Sequence, residues 1–490
     1  MDRRIVGQLG VLAVGLFAGT ARAQEATENV AESPRKPAES ETPAASQSAA
    51  PAREPARAAV PEPSGWETTF YGFAELDAIR DSTQSYGPAS NNAMLARPGT
   101  YAGFHPRTQL TANNSQMGVR VAAPAFGSSR VLGQAEIDFF GVQPSDVTEQ
   151  NAYTAASIRM RLFTLKLETP IVDVLAGQYH DLFGWGGAGF YPNTVAFLGV
   201  PGQIYHRQPQ IRLSKTVSGG GVRLDIAVAA VRPVQRDSET PDVQGGIKLA
   251  FDRWKGTSAQ GFGQPTEAPV ALGLSAVGRR MAVAEFLTIP TAPKVVLGWG
   301  AAANVFLPVI PAATRDRRGN SLSVTGEVSM GTGISDLYTQ LTGGALFPML
   351  PNPGSINPPP LYRPNIDSGI VTYDGNGNLK AINWRAFVVG GQYYLPIDSG
   401  RVWISATYSR LESTNIAALT PNASRGGIFT KLDYADGNLF FAVTPALQVA
   451  LSYQTTHQVF GDAPSAGVGG GATAVASRNH RGEGALKFFF

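Results

Sequence analysis

The residues best placed to do chemistry are charged side chains set at every second position within short apolar runs. Arg120 interrupts Met117-Gly118-Val119-Arg120-Val121, and Arg130, Glu136 and Asp138 alternate with Val131, Ala135 and Ile137. Arg159 and Arg161 alternate with Ile158, Met160 and Leu162, and Arg223 and Asp225 with Val222, Leu224, Ile226 and Val228. A period of two puts the charges on one face of a strand and the apolar residues on the other. The same parity adds Arg212, Lys248 and Lys431 to the charged face, with Glu75, Asp77 and Asp433. Rows of fixed cations facing fixed anions break no bonds; they set up a transverse field that selects among ions, and a basic excess favours anions. Arg159 and Arg161, consecutive on one strand, are the strongest candidates. For each residue alone the competing reading is a solvated face or an internal ion pair.

Constellations for covalent or metal chemistry are weak. His105, His180, His206, His457 and His480 show no metal-ligand spacing, and no Gly-x-Ser-x-Gly elbow occurs. His180 and His206 with Ser214 could be imagined as a hydrolytic set, but no spacing selects them. Gly467–Gly471 lacks the Lys-Ser/Thr of a phosphate loop. Asp374-Gly375-Asn376-Gly377-Asn378 begins like a calcium loop, but Leu379 and Arg385 stand where Gly and Glu are required, so a tight turn is expected. No catalytic role, metal or cofactor is expected. The absence of Cys excludes thiol chemistry and disulfides.

The elements that carry these residues read as an all-β chain. Only 16% of the 490 residues are charged, whereas Gly (55) and Pro (35) are abundant, so part of the surface need not face water. Arg3 and Arg4, the apolar run Ile5–Ala18 and Ala21-Arg22-Ala23 form a secretory signal over 1–23. Its removal takes three Arg and one Asp from a net charge of +3, leaving about +1 and no footprint for nucleic acid. Residues 24–65, rich in Ala, Pro, Glu and Ser, lack the large apolar residues that would offset ordering entropy, so a disordered periplasmic leader is expected. From Trp66 to Phe490, short connections such as Thr169–Ile171 and Ser218–Gly220 alternate with long ones, among them 81–106, 184–205, 332–379 and 460–477. That alternation predicts a transmembrane antiparallel β-barrel of about 16 strands, with 253–318 the stretch where strands and loops blur. The glycine-rich loop 184–205 should either fold into the barrel or pack on the rim or a subunit contact. The proline-rich loop 332–379 should form a rigid lid or surface feature. Aromatics near strand ends, Tyr71, Phe139, Phe140, Phe183, Trp384, Tyr393, Tyr394, Trp403 and Tyr408, suit interfacial girdles.

The last strand, Arg481–Phe490, alternates Gly482, Gly484, Leu486, Phe488 and Phe490 with Arg481, Glu483 and Lys487. Its terminal Phe490 resembles the signal read by the barrel assembly machinery of the bacterial outer membrane. Asn114-Ser115-Gln116-Met117-Gly118-Val119-Arg120-Val121 followed by Gly133–Gly141, Ile158-Arg159-Met160-Arg161 followed by Leu175-Ala176-Gly177-Gln178-Tyr179, and later Ser323–Glu327 and Asn438–Phe441, resemble DcaP-like porins. The resemblance spans nearly all of 66–490. It implies a homotrimeric, 16-stranded outer-membrane channel in contact with membrane lipid, passing small hydrophilic solutes and favouring anions such as dicarboxylates. Residues 24–65 depart from members with an N-terminal coiled coil, having no apolar heptads and many prolines. The alternatives are a barrel-anchored structural or adhesive protein and an outer-membrane enzyme.

Overall fold

The computed structural model describes residues 65–89, 94–141, 157–186, 189–233, 238–285, 289, 291–314, 317–339, 366, 369–374, 376–420, 422–461 and 475–490. The expected signal (1–23), nearly all of the leader (24–65), the Gly467–Gly471 run and most of the proline-rich loop lie outside them.

Period-two patterning produces sixteen antiparallel strands. These are β1 (Glu67–Asp81), β2 (Arg107–Thr111 and Gln116–Ala122), β3 (Arg130–Asp138), β4 (Arg159–Glu168), β5 (Asp173–His180), β6 (Arg207–Gly219), β7 (Val222–Val231) and β8 (Asp242–Ser258). They continue as β9 (Thr266–Ala284), β10 (Pro293–Ile310), β11 (Leu322–Thr332), β12 (Asn383–Tyr394), β13 (Val402–Ser413), β14 (Phe429–Ala442), β15 (Leu447–Phe460) and β16 (Ala476–Phe489). Each pairs with the next in sequence, and β1 pairs with β16 from Phe73↔Phe489 to Asp81↔Arg481, so the sheet closes on itself. The two pieces of β2 pair with one edge of β1 and count as one strand. At the break, Ser115 Oγ accepts from the Glu75 amide at 3.0 Å, so the interruption leaves that ladder donor satisfied.

The blurred stretch 253–318 resolves into the lower end of β8 and two long strands, β9 and β10. Its ambiguity came from length: these strands run well beyond the usual strand. Connections at one rim are as short as 220–221, whereas those at the other include 181–206 and 333–382.

The outward face is apolar, with Ile226 47%, Leu274 54%, Leu297 71% and Val328 56% exposed. A wall of that kind is suited to hydrocarbon rather than water. Inward positions carry Gln244, Asn304, Thr325, Ser405 and Asn438, all buried. Toward the long-loop rim the interior becomes apolar instead. Phe183, Val200, Ile204, Ile334 and Leu337 of the loops pack with Trp384, Leu411, Leu432 and Tyr434 of the wall. The inward faces correct two expectations. Tyr71, Phe183, Trp384, Tyr394 and Trp403 are at most 2% exposed and fill the interior, whereas Tyr393 and Tyr408 of the same expected girdle face outward beside Ile404 and Val389. Lys431 and Asp433 face outward, because Leu432 and Tyr434 take the inward positions against the loops.

Candidate functional site

The loop between β5 and β6 (181–206) crosses the barrel interior, one of the two placements open from sequence. At its start the Leu182 and Phe183 amides donate to Gln244 Oε1 of β8 at 2.8 and 2.9 Å. The Gly184 amide then donates to Ser275 Oγ of β9 at 2.8 Å. Gly184 has φ 76°, and a Cβ there would lie 2.8 Å from Ile204 Cγ2, so the tight entry requires glycine. Its middle reaches the opposite wall. Thr194 Oγ1 donates to Asp436 Oδ2 of β14 at 2.5 Å, and Trp403 Nε1 of β13 donates to Asn193 Oδ1 at 2.9 Å. It returns past β11, where the Ile204 amide donates to Glu327 Oε1 at 2.7 Å. Inward polar side chains that look like plain solvated lumen in the sequence thus serve as anchors for a loop backbone.

The loop leaves a cavity of about 170 Å³ between itself and the wall, lined in part by Glu75, Arg120, Glu136, Arg161, Tyr179, His180, Tyr191, Tyr205 and Lys487. Arg161 is nearly buried and donates to Glu136 Oε1 at 2.7 Å, Asp138 Oδ2 at 2.9 Å and the Tyr205 hydroxyl at 3.0 Å. Arg159 holds Asp138 from the other side at 2.6 Å. Lys487 pairs with Glu75 at 2.7 Å and lies over the Phe73 ring at 3.8 Å. Arg120 sits 4.2 Å over the Tyr71 ring and forms no ion pair among the described residues, so it adds uncompensated positive charge to the cavity. Burial alone would raise the Tyr205 phenol, but Arg161 and Arg207 outweigh it and hold the group below its ordinary value.

The charged positions read from sequence divide into three groups. Arg120, Glu136, Asp138, Arg159 and Arg161 gather at or beside the cavity. Arg212 lies next to them, donating to the His180 carbonyl at 2.6 Å over the Tyr179 ring. Arg223 and Lys248 form an internal cluster with Asp225 and Asp252, and Arg130 pairs with Glu67. Lys431 is outside the barrel. Leu162 was expected to face out with Met160; a β-bulge opposite Glu136 and Ile137 turns it inward beside Arg161.

The cavity also uses residues not singled out as its lining, chiefly Lys487, His180 and the tyrosines 179, 191 and 205. A second buried centre, Arg279 with Asp242 at 2.7 Å and Asp336 at 2.6 Å, likewise escaped notice. Its signal was an arginine on the same strand face as Val277 and Met281, two positions from each. The imagined hydrolytic set does not assemble. His206 pairs with Asp181 at 3.2 Å, while Ser214 stands opposite Asp173, seven residues beyond Arg207 and so roughly 24 Å along β6. Asp374 Oδ1 accepts from the amides of Asn376 and Asn378, each at 2.9 Å, in a tight turn.

No family model and no curated protein matches the chain. Solved structures do. An anion-selective porin from Comamonas acidovorans aligns at 10% identity over 87% of this chain and 100% of its own, with a TM-score of 0.47. OprB of Pseudomonas putida aligns at 11% identity over 87% of this chain and 94% of its own, with a TM-score of 0.46. The outer-membrane channel DcaP of Acinetobacter baumannii aligns at 16% identity over 87% of this chain and 98% of its own, with a TM-score of 0.59. In fold, therefore, the chain is similar to the DcaP channel.

Proposed function

We propose that the protein is an outer-membrane porin for passive diffusion of small hydrophilic solutes, with a mild preference for anions such as dicarboxylates. One observation carries the reading: a closed sixteen-stranded barrel with an apolar exterior keeps a polar cavity beside its crossing loop. In that cavity Arg120 forms no ion pair among the described residues. Barrels of this strand number are wide enough to hold a water-filled passage. A guanidinium without a counter-charge in a narrow passage attracts anions and repels cations. The charged residues of β2 to β5 act as the selectivity wall, and no bond-breaking step is assigned to them.

Export through the signal at 1–23, a periplasmic position for 24–65, assembly signalled by Phe490 and association as a homotrimer belong to the same reading. Apolar packing of loops in the upper interior favours, as a second reading, a barrel that serves mainly as an anchor. Conductance of the refolded protein in planar bilayers under a salt gradient separates the two. Stepwise currents with an anion-side reversal potential support the porin. A cation-side potential removes the anion preference and points to Glu136 and Asp138. Silence from a folded barrel supports the anchor.

A further inference from the structure

Around most of the barrel the outward positions are apolar: Val222, Leu224, Ile226, Val228 and Ala230 on β7, and Val295, Leu297, Trp299, Ala301 and Ala303 on β10. On β13 to β16 the register aligns charges instead. Arg410 stands opposite Asp433, Asp433 opposite His457, and His457 opposite Arg478, so one row crosses four strands. One step nearer the long-loop rim, Arg385 of β12 faces Glu412, and Glu412 faces Lys431. The alternate residues Leu411, Leu432 and Gln458 are fully buried, which sets the charged row on the outside.

Both carboxylates are already engaged. Asp433 is approached by Arg410 at 2.6 Å, Lys431 at 3.2 Å and His457 at 3.8 Å, and Glu412 by Arg385 at 2.5 Å. Four permanent cations thus face two carboxylates, and Arg478 is exposed with no ion pair among the described residues. The row also lies at a telling height. From Val402 to Arg410 the wall climbs about 20 Å, and from Phe488 to Arg478 about 25 Å, at ~3.3 Å per residue and ~40° tilt. The apolar band of such barrels is ~25 Å tall, so the cations sit where hydrocarbon gives way to headgroups.

We propose that this row docks the phosphate groups of a lipid in the membrane leaflet on the long-loop side, a phosphorylated glycolipid gripped by Arg410, Lys431 and Arg478. The inference rests on the reading of the chain as a membrane-spanning barrel. Guanidinium forks match phosphate oxygens in geometry and charge. A second copy of the chain is the poorer occupant, since the walls of β7 and β10 offer no outward carboxylate to meet the excess cations.

The test titrates the refolded protein in detergent micelles with bis-phosphorylated lipid A and with the same lipid lacking its phosphates, counting bound lipid by native mass spectrometry. Each cation near an anionic lipid surface is worth about fivefold in affinity. The R410Q/R478Q double variant should therefore bind phosphorylated lipid about 25-fold more weakly, whereas K215Q, low on β6, should bind as the parent does. If the double variant does not fold, R478Q alone should lose about fivefold. Equal binding of the two lipids, or undiminished binding by the folded variants, overturns the proposal. So does a loss of oligomer by the double variant in lipid-free micelles, which would mark the face as a contact between copies. Conductance is read separately in bilayers without the glycolipid. A silent parent that still selects phosphorylated lipid rejects the channel and supports the docking site.

Discussion

Replacing Arg120 by glutamine removes a cavity cation that forms no ion pair among the described residues while keeping most of the side-chain volume. The guanidinium lies 4.2 Å over the Tyr71 ring, so the loss to the fold is that of a partly exposed cation–π contact, about 0.5–1 kcal/mol. The effect on ions is larger. A unit charge about 6 Å from a permeating ion contributes about 0.7 kcal/mol in bulk water and about 3 kcal/mol at the effective dielectric of a narrow protein passage. Screening at physiological ionic strength removes roughly half of this. Even the lower figure leaves about 0.3 kcal/mol, acting with opposite signs on anions and cations. The anion-to-cation permeability ratio should therefore fall about threefold in R120Q, and further in R120E. Reversal potentials in planar bilayers under a salt gradient measure the ratio directly. An unchanged reversal potential in a folded, conducting R120Q would refute the idea that the conducting path runs past Arg120.

Asn193→Ala removes the acceptor of the Trp403 indole and the donor to the Gly261 carbonyl; it should free the middle of the crossing loop, raising conductance and open-channel noise, while heat stability falls by about 1–3 kcal/mol. Arg279→Ala leaves Asp242 and Asp336 buried without their shared partner, so thermal unfolding of the refolded barrel should show a loss of about 3–5 kcal/mol. The two ends of the crossing loop meet where His206 pairs with Asp181 at 3.2 Å. Burial opposes the imidazolium there, but Asp181, with Asp336 behind it, outweighs burial and raises His206 above its ordinary 6.5. A raised histidine stabilises the closure fully below pH 6.5 and loses that contribution as pH rises through the raised value. Open-channel noise should increase across that window in the parent and be independent of pH in His206→Gln.

Much of the barrel was legible because its exterior obeys a simple rule. An apolar outside and polar groups inside force a period of two, and Val222–Val228 or Gly482–Phe490 display it without help from the rest of the chain. Arg159, Arg161, Glu136 and Asp138 were readable as one inward group for the same reason. The rule fails where its premise fails. Near the long-loop rim the interior is filled by loops, so Leu432, Tyr434 and Trp384 turn inward and Lys431 and Asp433 turn out; at the short-turn end Trp403 turns inward against Val195 and Phe262. At Arg161 and Leu162 a single bulge shifts the parity, and no local composition announces it.

Alternation, turn residues and loop lengths are local quantities, and by themselves they determined the strand count, the antiparallel order and which side of most strands faces outward. Which cation is left uncompensated is not local. Arg120 and Arg161 look alike in the sequence, yet Arg161 is held by Glu136, Asp138 and a tyrosine brought in by the crossing loop, whereas Arg120 lies over a ring with no ion pair among the described residues. Only the tertiary structure decided that difference, because Coulomb energy and desolvation depend on distances between strands and a loop far apart in sequence, and those distances exist only once the barrel has closed around its loop.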